Sequence, residues 1–225
     1  MRAVGRLYGS SVGKKALVAA SGLVLVAFVI GHMLGNLKAY QGQAKFDAYA
    51  AFLREVGAPV FGHGQLLWLV RLVLLAAVSL HVVAAWQVYR QSRRARPTGY
   101  RRFDDLSLAY ASRTMRWGGV ILLAFVVYHL LHLTTGTAHP NFDAGSPYRN
   151  LITGFRSWPA SAAYVLAMVP LGLHVYHGLW SSTQTLAVRN PTVLRLRRAA
   201  AAGIAAAIVV GNVSIPVAVL TGLVG

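Results

Sequence analysis

The sequence has no cysteine, and it has only five acidic residues among 225. Without cysteine the chain can supply no thiolate ligand to an iron–sulfur cluster, no thioether attachment for a haem and no disulfide. A metal held by the protein would therefore depend on histidine, of which there are eight. The shortage of acids also leaves 22 Lys and Arg residues unbalanced, so the formal net charge is +17.

The basic residues fall in the joints between long apolar runs. Hydrophobic residues make up 56% of the chain, and the mean hydropathy is +0.53. In a soluble protein this charge would point to nucleic acid, but basic joints between apolar runs report membrane topology instead. The composition therefore predicts one all-α integral membrane domain over residues 1–225, surrounded by lipid and without a nucleic-acid partner.

Five apolar runs are long enough to cross a bilayer, which takes about 20 residues at ~1.5 Å each. The predicted spanning helices are approximately residues 16–37, 66–89, 116–135, 160–180 and 199–223. The first run is longer than the core of a secretory signal, so we expect it to be retained. The sequence thus predicts a five-helix bundle.

Two long connectors separate these spans. Residues 39–64 are polar, yet apolar side chains recur there at helical spacing, which predicts a short amphipathic helix at the interface (Phe46, Tyr49, Ala50 and Leu53). Residues 137–159 contain three prolines and scattered glycines and are predicted to be a loop. His63 and His139 lie in these connectors, where we expect them to be solvated.

The distribution of Lys and Arg predicts the orientation of the bundle. Sixteen of the 22 lie before the first span, from Arg90 to Arg116 or from Arg189 to Arg198. These three segments share one side of the membrane. The positive-inside rule places them and the N-terminus in the cytoplasm, with the C-terminus outside.

Four spans carry a histidine, and an ionisable side chain within a bilayer normally faces the bundle interior and serves a function. In the predicted topology His32 and His129 lie in the outer half of the membrane, whereas His81 and His174 lie in the inner half. Neutral imidazole is a good iron ligand, so two height-matched pairs predict two bis-histidine haems. For any single histidine, the alternative is a hydrogen bond to a neighbouring helix.

Other polar residues in the spans leave alternatives open. His132 and His177 each follow a proposed ligand by three residues and lie near the same helix face. Either can be the ligand instead; we favour His129 and His174, which leaves His132 and His177 to contact propionate, water or quinone. Arg71 needs an anion at its depth, for which a propionate of the outer haem is a candidate, and snorkelling to the interface is the alternative.

Glycines flank the four histidines at Gly31, Gly35, Gly172 and Gly178. A missing side chain at these positions would let a porphyrin face approach the backbone. Close packing of helices explains each glycine equally well.

Three stretches carry a family resemblance: SSVGKKALVAASGLVLVAFVIGHMLGNL, WGGVILLAFVVYHLLHLT and LGLHVYHGLWSS. They closely resemble the dihaem cytochrome b membrane-anchor subunit of succinate dehydrogenases and fumarate reductases, and the similarity covers all five spans. The resemblance implies a multi-pass subunit of the bacterial cell membrane that holds two haems b and anchors a flavoprotein subunit and an iron–sulfur subunit at its cytoplasmic face. It implies the same ligands, His32, His81, His129 and His174.

The resemblance also implies a quinone site. Relatives commonly use menaquinone near the outer haem, and some have an acidic residue assigned there after the first helix. Glu55 occupies a similar place, where it would carry protons for the quinone; pairing with Arg54 or Lys45 is the alternative. Some relatives carry a membrane-embedded glutamate where residues 171–173 are Leu-Gly-Leu, so we do not expect that proton route here.

The expected function is electron transfer between a cytoplasmic iron–sulfur partner and quinone through the inner and then the outer haem. The flavoprotein would handle succinate, because nothing in this chain resembles a dicarboxylate or flavin site. Two alternatives remain: a dihaem anchor of a hydrogenase or formate dehydrogenase, and a haem-free anchor or transporter whose histidines relay protons.

Overall fold

The computed structural model describes residues 10–58, 60–95, 106–184 and 190–225, with the backbone alone at 106–113 and 183–184. Within these ranges the chain forms seven α-helices and no strand. The helices are α1 (Ser11–Asn36), α2 (Gln43–Glu55), α3 (Gln65–Arg94), α4 (Leu106–Leu133), α5 (Pro147–Arg156), α6 (Trp158–Gln184) and α7 (Pro191–Leu220), and a short 3₁₀ helix, Leu37–Gln41, follows α1.

Five of these helices are long and apolar enough to cross a membrane, which confirms the predicted number of spans. The candidate spans are Ser11–Gln41, Gln65–Arg94, Thr114–Leu133, Trp158–Ser182 and Pro191–Leu220. Only 6% to 33% of the residues in their most apolar windows are buried inside the protein. Helices whose outward faces meet lipid are expected to show this pattern.

Capping residues explain where two of the spanning helices begin. The Ser10 side chain accepts a hydrogen bond from the backbone N–H of Gly13 at 3.0 Å and so starts α1. Asn190 accepts from the backbone N–H of Thr192 at 2.9 Å, and Pro191 occupies the first position of α7, where its missing N–H costs nothing. Both helices therefore start earlier than their apolar runs.

The prediction that residues 137–159 form only a loop is wrong, because α5 occupies Pro147–Arg156. Ser146 accepts from the backbone N–H of Arg149, and Pro147 takes the first helical position. Prolines often mark loops, but a Ser-Pro pair also starts a helix. One face of α5 is buried in the bundle and includes Ile152 and Phe155.

The predicted amphipathic helix is present as α2, and it packs against α5. The Asp47 carboxylate accepts from the backbone N–H of Tyr148 and from the Ser146 hydroxyl, both at 2.9 Å. The Phe46 ring lies against Tyr148 with ring centres 5.9 Å apart. Together α2, α5 and the loop between α4 and α5 cover one end of the bundle, which we call the outer end.

The spanning helices pack unevenly. Helices α1 and α3 pack closely along their length, and α6 packs against both α4 and α7. Helix α1 also packs against α6 and α7, and a Cβ at Gly211 of α7 would collide with Met33 of α1. Among the described residues, α3 has hardly any close backbone approach to α4 or α6, and neither has α1 to α4. The four span histidines lie where α1 and α3 face α4 and α6.

Candidate functional site

The structure brings the four span histidines together as two pairs. The ring centres of His32 on α1 and His129 on α4 are 5.7 Å apart, and those of His81 on α3 and His174 on α6 are 6.0 Å apart. These are the pairs that the sequence predicts from topology. We call His32 and His129 the outer pair and His81 and His174 the inner pair.

The ring spacing suits a metal ion between each pair. An imidazole nitrogen lies about 2.0–2.1 Å from a bound ion such as zinc, so two rings on opposite sides of an ion have centres roughly 6 Å apart. No group of three or more His, Cys, Asp and Glu that could hold a metal occurs in the described ranges. Two axial ligands without further protein ligands are what a haem requires, since the porphyrin supplies the other four.

The two pairs lie at different levels of the bundle. His81 contacts Ser21 on α1, which precedes His32 by eleven residues, or about 16 Å of helix. On α4, a Cβ at Gly119 would lie 3.8 Å from the His174 ring, and His129 follows ten residues later, or about 15 Å. Two separate helices thus give the same separation, which fits two haems stacked within a bilayer.

The inner pair is oriented by the backbone of α1. His81 Nδ1 lies 3.1 Å from the Val18 carbonyl oxygen and 3.2 Å from Ser21 Oγ, whose own hydroxyl donates to the Leu17 carbonyl at 2.6 Å. Because a carbonyl only accepts, His81 must carry its proton on Nδ1. Nε2 is then the unprotonated nitrogen, as a metal ligand requires.

The other member of the inner pair has an unsatisfied atom. His174 Nδ1 is buried and has no hydrogen-bond partner among the described residues. A buried polar atom left unpaired costs roughly 1–3 kcal/mol. Iron bound at Nε2 would not pair this nitrogen, so the ring spacing to His81, and not the orphaned atom, is the observation that fits a haem.

The outer pair is oriented by a tyrosine. His129 Nδ1 lies 3.2 Å from the hydroxyl oxygen of Tyr164 on α6, and His132 Nδ1 lies 3.1 Å from the same oxygen. His32 makes no hydrogen bond in the part of the chain that is described, and its ring stacks on Phe28 with centres 5.3 Å apart. Tyr164 was not singled out in the sequence, because nothing local relates it to a histidine 35 residues earlier.

The alternative ligands are placed differently. His132 is only 1% exposed, and its ring stacks on Tyr128 at 5.4 Å and on His139 at 5.1 Å, with no ring contact to His32. His177 lies beside Tyr176 and has no ring contact with His81. The geometry therefore places His129 and His174, rather than their neighbours, opposite the other histidines.

The prediction that His139 is solvated is wrong, because it is only 9% exposed. His139 Nδ1 accepts from the backbone N–H of Asn141 at 3.1 Å, so Nε2 donates to the Asn150 carbonyl at 2.9 Å. Asn150 also bonds both backbone groups of Asp143 through its side-chain amide. These bonds fold the loop beneath α5, and sequence spacing gave no sign of them.

His63, by contrast, is exposed, and its Nδ1 lies 2.5 Å from Oε1 of Glu55 at the end of α2. The partner of Glu55 is thus His63 rather than Arg54 or Lys45. No contact joins Glu55 to His132 within the described ranges.

Arg71 lies near the start of α3. It is exposed, and its guanidinium lies 4.8 Å from the centre of the Trp68 ring. No ion pair to Arg71 occurs among the residues described. This geometry fits an interfacial cation that rests on an aromatic ring.

The glycines beside the histidines divide into two kinds. A Cβ at Gly31 or Gly178 would meet no atom within 4 Å, whereas one at Gly35 would collide with Tyr49 and one at Gly172 with Val209. The last two are therefore explained by close packing. Gly22 also lies beside a histidine, since a Cβ there would lie 3.1 Å from the His81 ring, and no sequence spacing relates the two residues.

Comparisons with family models, with curated proteins and with solved structures find no match to this chain.

Proposed function

We propose that this chain is the dihaem cytochrome b membrane anchor of a bacterial succinate:quinone oxidoreductase. The observation that supports it most is that four histidines from four spanning helices meet as two pairs, with ring centres 5.7 and 6.0 Å apart. The pairs lie at two levels, and within the described ranges no third His, Cys, Asp or Glu joins either pair as a possible metal ligand. The resemblance of three stretches to that family supports the choice of enzyme.

In this proposal the protein holds and orients the cofactors. His32 and His129 would hold the outer haem iron, and His81 and His174 the inner one. When bound, the haems supply one-electron transfer across the bilayer. The α1 backbone at Val18 holds the proton of His81 on Nδ1, and the apolar helix faces exclude water from the metal sites.

The partners would dock at the end opposite α2 and α5. Under the positive-inside rule this end, which carries the basic segments, faces the cytoplasm. The iron–sulfur subunit would bind there, close to the inner pair, and the flavoprotein would bind that subunit and oxidise succinate. Parts of the basic segments, residues 1–9, 96–105 and 185–189, lie outside the described residues.

Quinone, most consistently menaquinone, would react at the outer end. Glu55 and His63 form an exposed pair there, and a carboxylate in contact with an imidazole can take up or release a proton for the quinone. Arg71 would hold a propionate or a lipid phosphate at the same interface. Lipid access is available because the spanning helices expose apolar faces.

The decisive experiment is a reduced-minus-oxidised optical spectrum and a haem assay of the purified chain. We expect two haems b per chain. A chain that contains no haem when isolated from a haem-sufficient host would refute the proposal and favour the haem-free anchor. Copurification of a flavoprotein with succinate dehydrogenase activity would separate this enzyme from a hydrogenase or formate dehydrogenase.

A further inference from the structure

One hydroxyl group joins a proposed haem ligand to a buried histidine. The Tyr164 oxygen lies 3.2 Å from His129 Nδ1 and 3.1 Å from His132 Nδ1. Tyr164 is 8% exposed and His132 is 1% exposed. Rings of Phe125 and Phe155 flank Tyr164 edge-on, with centres 5.0 and 4.8 Å away. The hydroxyl is therefore held in place, and water has little access to it.

A single hydroxyl between two imidazoles can donate to only one of them. In the first arrangement His129 donates from Nδ1 to the Tyr164 oxygen, and the tyrosine donates to His132. In the second arrangement His132 donates from Nδ1 to the Tyr164 oxygen, and the tyrosine donates to His129 Nδ1. His129 then carries its proton on Nε2. Only the first arrangement leaves His129 Nε2 unprotonated and able to bind iron.

We infer that Tyr164 is a positioning residue for the outer haem, and that His132 directs its hydroxyl proton away from His129. The inference rests on the proposed function. His132 is then neither a ligand nor a propionate contact but the acceptor that selects the binding form of His129. Hydrogen bonds of this kind set the ring orientation and basicity of metal-bound histidines.

The first test replaces Tyr164 by Phe, which keeps the ring and its packing but removes the hydroxyl. We expect outer haem to bind about 10–100-fold more weakly, because loss of such a partner typically has that effect on metal affinity. The reduction potential of the outer haem should rise, since His129 then donates less charge to the ferric ion. The inner haem should keep its spectrum and potential.

Tyr128→Phe is the matched control. Tyr128 stacks on the same His132, but its hydroxyl makes no hydrogen bond in the described part of the chain. We expect wild-type haem content and potentials in this variant. The measurements are haem per chain, redox titration of both haems and electron paramagnetic resonance of the ferric forms, all on the full chain in membranes.

A second pair of variants tests the direction of the chain of hydrogen bonds. His132→Leu removes the acceptor and should weaken outer haem binding as Tyr164→Phe does. His132→Asn retains an acceptor oxygen near the Nδ1 position and should restore wild-type behaviour. These two variants test whether His132 accepts the Tyr164 proton even if Tyr164→Phe fails to fold.

The outcomes separate this inference from the proposed function. Absence of haem from the wild-type chain would overturn both. Two haems in the wild type, with unchanged outer haem affinity and potential in Tyr164→Phe, would overturn the role of Tyr164 alone. Equal behaviour of His132→Leu and His132→Asn would overturn the role assigned to His132.

Discussion

The inner and outer pairs have almost the same ring spacing but differ in what orients the ligand. At the inner pair, His81 donates to a backbone carbonyl, which cannot rotate or change its role. At the outer pair, His129 bonds a hydroxyl whose proton can point either way. The position of the proton on His81 is therefore fixed by a correctly formed helix alone, whereas that on His129 depends on a second side chain.

The surroundings of the two pairs differ as well. The outer end is covered by α2, α5 and the loop that contains His139, and Asp47 ties α2 to α5. The inner end is bordered by the basic segments, only part of which is described. Substitutions at the outer end should therefore affect one pair selectively.

The largest expected effect comes from replacing one histidine of either pair by alanine, which should affect that pair alone. On the proposed function, His32→Ala and His129→Ala should each remove the outer haem and spare the inner one, because each haem would need both of its axial ligands. His81→Ala and His174→Ala should remove the inner haem instead. The measurement is the reduced-minus-oxidised spectrum with haem quantification. If His32→Ala and His81→Ala abolish the same signal, the pairing is wrong.

A large kinetic effect is expected from Glu55→Gln at the outer end. The amide keeps the size of the side chain but removes its capacity to carry a proton, so quinone-linked turnover should fall at least about 10-fold. Both haem spectra and electron transfer from succinate to an artificial acceptor should be unchanged. Asp143→Asn, which changes another, half-buried acid at the same end, is the control. Unaltered quinone turnover in Glu55→Gln would move the quinone site to the cytoplasmic side.

A moderate effect on stability is expected from Asp47→Ala. The change leaves the backbone N–H of Tyr148 without its acceptor and should cost about 1–3 kcal/mol. In a thermal melt followed by haem absorbance, the outer haem should be lost at a lower temperature than in the wild type. The inner haem should be lost at an unchanged temperature. Equal shifts for both haems would mean that α2 and α5 stabilise the whole bundle rather than its outer end.

The smallest effect is expected from Ser21→Ala at the inner pair. The Val18 carbonyl remains as an acceptor for His81, so haem content should be unchanged and the inner haem potential should shift only slightly. This result would contrast with Tyr164→Phe, which removes the one hydrogen-bond partner that His129 has among the described residues. Loss of inner haem from Ser21→Ala would show that the serine, not the backbone, orients His81.

The features that depend only on the order of residues along the chain could be predicted from the sequence. Span number follows from apolar length, and the pairing of His32 with His129 and of His81 with His174 follows from alternating helix direction. Contacts between segments that are distant in the sequence could not be predicted. The burial of His139 depends on Asn150, and the role of Tyr164 depends on two helices side by side. The helix α5 cannot be told from a loop by composition, because a Ser-Pro pair occurs both in turns and at helix starts.

Among the described residues, α3 has hardly any close backbone approach to α4 or α6, and this has a consequence for biogenesis. Helix α3 is joined to the rest of the bundle mainly through α1, whose Val29 and Ile30 lie against the cluster formed by Val175, Ala205 and Ile208 of α6 and α7. On the proposed function, the inner haem would add a direct link between α3 and α6 through His81 and His174. Supply of haem would thereby control when the anchor becomes resistant to membrane proteases and ready to receive its partner subunits.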